Sequence, residues 1–304
     1  MSALPGVPRG AAPLRLRGRE LAGPVVMAVV NRTPDSFYAP ARHDETGADA
    51  AVARAVEEGA DIVDLGGVRA GRGPEVGVDE EIARVVPLIA RVRDRHPDLL
   101  VSVDTWRAPV ARAAADAGAD LVNDTWSGHD PELAEVAAER GLGLVCSHTG
   151  GALPRTDPYR VQYTADEGHD GLDGVVDDVV RTVSALAARA VALGVDPAAV
   201  LVDPTHDFGK TTWHSLHLVR RTEALVALGH PVLMALSRKD FVGETLDLPP
   251  EERLEGTLAA TAVAAWLGAR VFRAHDVRAT RRTLDMVASV RGERPPARAV
   301  RGLA

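Results

Sequence analysis

A closed (β/α)8 barrel is the fold class this sequence predicts, an α/β TIM barrel entered through a short N-terminal hairpin. Three observations predict it. Short runs rich in valine and leucine recur along the chain, apolar on both faces as strands of a helix-covered parallel sheet are. Stretches with apolar residues at i, i+3, i+4 and i+7 separate them, the period of an amphipathic helix. Eight such units fill 304 residues, a length at which an α/β barrel closes as one domain. A doubly wound open sheet is the structural alternative, but it places a glycine-rich phosphate loop after an early strand. No GxGxxG occurs, and GGVRAGRG has its glycines at the wrong spacing.

Taken in order, residues 1–13 are rich in Pro and Gly and predict a flexible tail. LRLRGREL then alternates apolar and charged residues around Gly18, the pattern of a small hairpin. The predicted strands are VVMAVVN (25–31), DIVDLGG (61–67), LLVSVD (99–104), ADLVND (119–124), GLVCSH (143–148), VLVDP (200–204), PVLMALS (231–237) and ARVFRAH (269–275). Helical stretches such as DEEIARVVPLIARVRDRH and ERLEGTLAATAVAAWLGA lie between them. The GAD triplets before the second and fourth runs supply the glycine that stops a helix. The barrel is therefore assigned to 14–290, with a basic C-terminal tail over 291–304.

Composition narrows the function. With 46% apolar and 26% charged residues and a net charge of −8, the chain buries a full core and repels nucleic acid and anionic membrane. No apolar stretch is long enough to span a bilayer, and the N-terminus lacks the centre of a signal peptide. A single cysteine, Cys146, excludes an internal disulfide and fits a reducing compartment, so a cytoplasmic protein is expected. Cys146 itself falls mid-strand and reads as a small core residue.

The active site of such a barrel forms at the C-terminal ends of its strands. Those ends carry Asn31, Asp64, Asp104, Asn123 with Asp124, His148, Asp203, Ser237-Arg238-Lys239, and Arg273 with His275. Buried polar groups are costly without partners, so the concentration implies a site. The only two asparagines, Asn31 and Asn123, and the only two lysines, Lys210 and Lys239, all fall at or just beyond a strand end. Plainer readings stand beside this one. Asp64 and Asp124 equally suit helix N-caps, and His148 suits a backbone contact in its loop. His206, His214 and His217 lack the carboxylate spacing of a zinc helix.

At this point VVNRTPDSF, SVDTW, LVNDTW, DPTHDFGK, LSRKDFVGET and FRAHDV resemble, in this order, the dihydropteroate synthase family. The resemblance runs from about Leu14 to Val290. It implies condensation of a hydroxymethyl-dihydropterin pyrophosphate with p-aminobenzoate, releasing pyrophosphate, in folate synthesis. Carried over position by position, Asp104, Asn123, Asp203 and Lys239 would hold the pterin. Asn31, Arg273 and His275 would take the pyrophosphate and its Mg²⁺, with Asn31 the metal ligand and Lys239, Arg273 and His275 the catalytic groups. Phe208, Ser237 and the stem of Lys239 would flank the second substrate. Family members pair through late helices, and the Ala/Leu face of 253–267 suits a homodimer.

Three departures qualify the resemblance. DPTHDFGK has Thr205 and Asp207 where the family reads DPGxGFGK, which predicts a reshaped loop because glycine admits positive φ. Ser147 and Thr149 replace methionines that flank the family's histidine. GGVRAGRG, from Gly66 to Gly73, stands where the family reads GGESTRPG, so Val68, Ala70 and Gly71 replace the Glu, Thr and Arg of a loop that closes over the site. A pterin-binding protein with weak or lost synthase activity is the expected outcome, and a fully active synthase is the alternative. A metal-dependent hydrolase is disfavoured by the lack of HxH on the first strand.

Overall fold

The computed structural model describes residues 12–31, 45–156, 163 and 172–301. The N-terminal tail up to residue 11 and the RTPDSF part of the first motif lie outside the described residues. The hairpin forms as β1 (Leu14–Leu16) and β2 (Arg19–Leu21), antiparallel, turning at Arg17 and Gly18 with φ of 52° and 70°. The barrel strands are β3 (Val25–Asn31), β4 (Ile62–Gly66), β5 (Leu100–Asp104), β6 (Leu121–Asp124), β7 (Gly143–Ser147), β8 (Val200–Asp203), β9 (Leu233–Met234) and β10 (Val271–Ala274). They pair in parallel in the order β8-β7-β6-β5-β4-β3-β10-β9. A parallel bridge from Val202 to Val232 joins the two edges and closes the ring.

Ten described helices surround it: α1 (Glu45–Glu57), α2 (Val78–Arg95), α3 (Ala108–Asp116), α4 (Glu132–Arg140), α5 (Asp173–Leu193), α6 (Thr212–Arg220), α7 (Thr222–Val226), α8 (Asp240–Leu246), α9 (Leu254–Trp266) and α10 (Val277–Val290). Both GAD triplets act as predicted. Gly59 and Gly118 adopt left-handed φ of 93° and 106° and end their helices. The aspartates then anchor the next strand to its neighbour, Asp61 accepting the Val26 amide at 2.8 Å and Asp120 the Val101 amide at 2.9 Å. The PVLMALS run is the exception. Only Leu233 and Met234 pair as strand, because the chain turns out through a left-handed Arg238 with φ of 55°.

Strand alternation divides the core in two. Val63 and Leu65 of β4 face the helices, whereas Ile62 joins Val25, Met27, Leu100, Leu121, Val145, Leu201, Leu233 and Val271 in the lumen. Leu14 and Leu16 of the hairpin complete that inner cluster, fully buried, and seal the N-terminal end of the barrel. The fit is close. A Cβ on Gly143 would stand 2.5 Å from Leu16 Cδ2, so only glycine admits the plug there. Among the described residues no helix is long and apolar enough to cross a membrane.

Candidate functional site

With the lower lumen filled by apolar side chains and the hairpin, the period of two dictates what lies above. Positions two or four residues beyond Ile62, Leu100, Leu121, Val145, Leu201 and Val271 point inward as Asp64, Ser102, Asp104, Asn123, Ser147, Asp203 and Arg273. Polar side chains therefore occupy the upper half of the barrel. Of the predicted strand-end residues, Asp64, Asp104, Asn123, Asp203 and Arg273 turn into it, whereas Asp124, His148 and Arg238 bond elsewhere.

The floor is an ionic cluster. Arg273 Nε donates to Asp64 Oδ2 at 2.6 Å and its Nη2 to Asp104 Oδ2 at 2.8 Å. Asn123 Nδ2 donates to the same Asp64 oxygen at 3.0 Å, and Thr125 Oγ1 reaches Asp104 Oδ1 at 3.3 Å. Burial pushes the Asp104 carboxyl up to about 7, with Asp64 and Glu81 adding to the shift and Arg273 opposing it. Burial also disfavours the Arg273 cation, but Asp64 and Asp104 outweigh it and raise its pKa. Asp64 Oδ1, Asn123 Oδ1 and Ser102 Oγ are buried without a hydrogen-bond partner. Orphaned atoms of this kind are costly, and three of them gather on this one floor.

One wall is made by β8, β9 and the loops beyond them. Asp203 Oδ1 accepts the Thr205 amide at 2.7 Å. Burial raises its pKa and Lys239 opposes the rise. Burial lowers the pKa of Lys239, with Asp207 and Asp203 opposing. Its Nζ donates to the His206 carbonyl and lies 4.8 Å from the centre of the Phe208 ring. Phe208 meets Trp126 edge-on at 5.3 Å, and Trp126 meets Trp106 at 6.4 Å, an aromatic ladder leading outward from the pocket. Ser237 Oγ accepts the His275 amide at 3.2 Å and stands 3.1 Å from its Nδ1. Burial and the Arg273 charge bring His275 down to about 4, so its ring is neutral at pH 7.

Asn31 lies at the opposite lip, at the end of β3. A Cβ on Gly66 would stand 2.8 Å from Asn31 Oδ1 and 3.6 Å from Asp104 Cβ. Glycine thus keeps the amide oxygen open to the mouth. Among the described residues no three His, Cys, Asp or Glu side chains gather as a metal cage.

In the loop DPTHDFGK, Thr205 and Asp207 hold φ of 53° and 69°, left-handed values ordinarily left to glycine. Hydrogen bonds hold this strained path. Thr205 Oγ1 donates to the Asp203 carbonyl at 3.1 Å and accepts the His148 amide at 3.2 Å. Lys210 is the central tie. Its fully buried Nζ donates to the carbonyls of His148 at 2.8 Å, Phe208 at 2.8 Å and Thr205 at 3.1 Å. One rare lysine therefore organises the loop, and the other reaches the pocket.

Remaining candidates separate by role. Asp64 is no helix cap; it anchors the floor. Ser102, whose hydroxyl completes the floor, is the residue the sequence reading missed. Asp124 does cap a turn, accepting the amides of Trp126 at 2.9 Å and Gly128 at 2.7 Å. His148 does more than meet backbone, since its Nε2 bonds Asp178 Oδ2 at 2.7 Å. Cys146 is buried in β7, as expected. In the loop after β4, Arg69 and Arg72 are exposed, and Arg155 Nε donates to the Gly71 carbonyl at 3.4 Å.

Residues 27–275 match the family described as pterin binding enzyme. An "Inactive dihydropteroate synthase 2" of Mycobacterium leprae is 63% identical over 281 residues, covering 92% of this chain and 95% of that protein. The chain belongs to the dihydropteroate synthase family. A dihydropteroate synthase of Coxiella burnetii in complex with pteroic acid superposes with a TM-score of 0.80 at 30% identity, covering 92% of this chain and 99% of that one. The Xanthomonas albilineans dihydropteroate synthase with 4-aminobenzoic acid gives 0.78 at 36% identity, covering 92% and 98%. Membership accounts for both the barrel and its polar mouth.

Proposed function

We propose that this dihydropteroate synthase family member binds a dihydropterin, or its pyrophosphate, in the barrel mouth and condenses it with p-aminobenzoate weakly or not at all. The observation that carries the binding half is the buried floor, where Asp64 Oδ1, Asn123 Oδ1 and Ser102 Oγ await partners beside Asp104 and Asp203. A pterin edge is a row of N–H donors flanked by acceptors. Carboxylates such as Asp203 accept paired hydrogen bonds from it, Asn123 donates and accepts on adjacent atoms, and Lys239 supplies a compact ammonium.

Arg273 and His275 then face the pyrophosphate end. The Arg273 cation stabilises charge gathering on the leaving group, and neutral His275, seated against Ser237, can donate a hydrogen bond to it. Asn31, whose Oδ1 a Cβ on Gly66 would crowd at 2.8 Å, would hold a Mg²⁺ ion through its amide oxygen, with phosphate oxygens and waters as the other ligands. The ion would supply Lewis-acid polarisation of the leaving group. Phe208, Ser237 and the Lys239 stem would flank an arylamine.

The loss of condensation rests on GGVRAGRG, which offers neither a hydroxyl at Ala70 nor a cation at Gly71. The 63% identical relative from Mycobacterium leprae, itself called inactive, supports this. Full synthase activity is the competing reading, favoured by retention of Asn31, Arg273 and His275. Calorimetry with a dihydropterin pyrophosphate, followed by a condensation assay with p-aminobenzoate, decides between them. A homodimer is part of the same proposal. Val263, Trp266, Met286 and Val290 line an open apolar groove between α9 and α10, and a second copy would cover it.

A further inference from the structure

Asp207 is the carboxylate that the proposed mechanism leaves unused. It sits between Phe208 and the Lys239 turn, at a left-handed φ of 69°, and its side chain is fixed on every side. Its Oδ2 accepts the Asp240 amide at 2.7 Å, and its Oδ1 accepts the Phe241 amide at 3.3 Å and the Ser215 hydroxyl at 3.3 Å. Its own amide donates back to Ser215 Oγ at 3.1 Å. The neighbouring Asp240 does not share this role, since its side chain is 75% exposed and turned to Arg253 at 2.8 Å.

The charge consequence falls on the wall that would receive the second ring. Lys239 is the cation of that wall, and Asp207 is the foremost charge stabilising its ammonium. The amides of Asp240 and Phe241 are consumed by Asp207 as well. An incoming benzoate would meet a second carboxylate, whose ionisation burial already disfavours, and main-chain donors already taken. We infer that Asp207 sets the specificity of the second-substrate position, excluding aromatic carboxylates and leaving a place for an uncharged arylamine beside Phe208. This rests on the pterin-site reading above, and it adds a cause of lost condensation independent of the loop after β4.

The test uses the full-length chain and two rings that differ only in a carboxylate against a neutral carboxamide, p-aminobenzoate and p-aminobenzamide, titrated into pterin-saturated wild type, Asp207→Asn and Asp207→Gly. Wild type should bind the amide at least about tenfold more tightly than the acid, because a desolvated like charge costs more than that factor. Either variant should gain at least about tenfold for the acid, while the amide changes by less than about threefold. Thermal melts confirm that each variant is folded. Equal affinities in wild type, or no gain for the acid in either variant, overturn the assignment, and so does failure of both rings to bind all three proteins. If wild type binds no pterin, the pterin reading fails by itself, and the same comparison on the unliganded chains still decides the role of Asp207.

Discussion

Arg273 Nε stands 2.6 Å from Asp64 Oδ2 across the lumen, and the same guanidinium spans a further 2.8 Å to Asp104. One cation thus serves two buried carboxylates. The arrangement leaves Asp104 short of compensation and pushed up to about 7.

A carboxyl whose folded pKa exceeds its unfolded value near 3.8 binds its proton more tightly in the folded chain. Its contribution is therefore full below about pH 4 and is lost as the pH rises through about 7. Wild type should lose roughly 1–3 kcal/mol between pH 5 and pH 8 through this group. Urea unfolding of wild type and Asp104→Asn at both pH values checks it, because the substitution should remove that part of the slope. Parallel pH profiles for the two proteins would refute the assignment.

Lys239→Arg keeps the charge and should still cost most of the pterin affinity. The planar guanidinium cannot fit between the His206 carbonyl and the Phe208 face as a compact ammonium does. Calorimetry with unchanged pterin affinity would take Lys239 out of the pocket.

Lys210→Met should destabilise the protein by about 3 kcal/mol, since three buried carbonyls lose a charged donor together. The loss should appear in the urea midpoint at neutral pH. A change below about 0.5 kcal/mol, typical of surface substitutions, would mean that Lys210 does not hold the loop.

Replacing Val68–Arg72 by Glu-Ser-Thr-Arg-Pro should raise condensation while pterin affinity stays within about threefold. Two charge-assisted contacts at about 1.5–3 kcal/mol each correspond to roughly 10²–10⁴ in turnover when both form mainly in the closed state. The gain should be larger in an Asp207→Gly background. Ordinary synthase turnover by the unmodified chain would defeat the divergent reading.

Met286→Glu puts a charge into the apolar groove of α9 and α10, where Met286 is 63% exposed. Sedimentation should show a dimer for wild type and a monomer for the variant. A monomeric wild type would remove the dimer from the proposal.

Much of this was legible in the sequence because two periodicities and two scarcities coincide. The strand runs placed Asp104, Asn123, Asp203 and Arg273 at one mouth. Scarcity of lysine pointed to Lys210 and Lys239, but it did not distinguish the loop tie from the pocket cation. That distinction depends on where three distant carbonyls meet. Asp64 was ambiguous because an aspartate before Gly66-Gly67 suits a cap as well as a floor. The left-handed path through DPTHDFGK was not legible for a physical reason: residue type reports the cost of a left-handed φ, and the hydrogen bonds that offset the cost come from His148 and Ser215, outside the motif, and from the Lys210 side chain folding back from its end.

The aromatic ladder from Trp106 through Trp126 to Phe208 gives the molecule an optical gauge of its own. Indole emission overlaps pterin absorption, so a pterin settling in the barrel mouth would drain light from the two buried tryptophans. The chain's other two, Trp213 and Trp266, lie exposed on the outside and would go on shining. Exchanging those two for phenylalanine leaves emission from the ladder alone, and occupancy of the barrel mouth can then be followed in the unlabelled protein as a dimming.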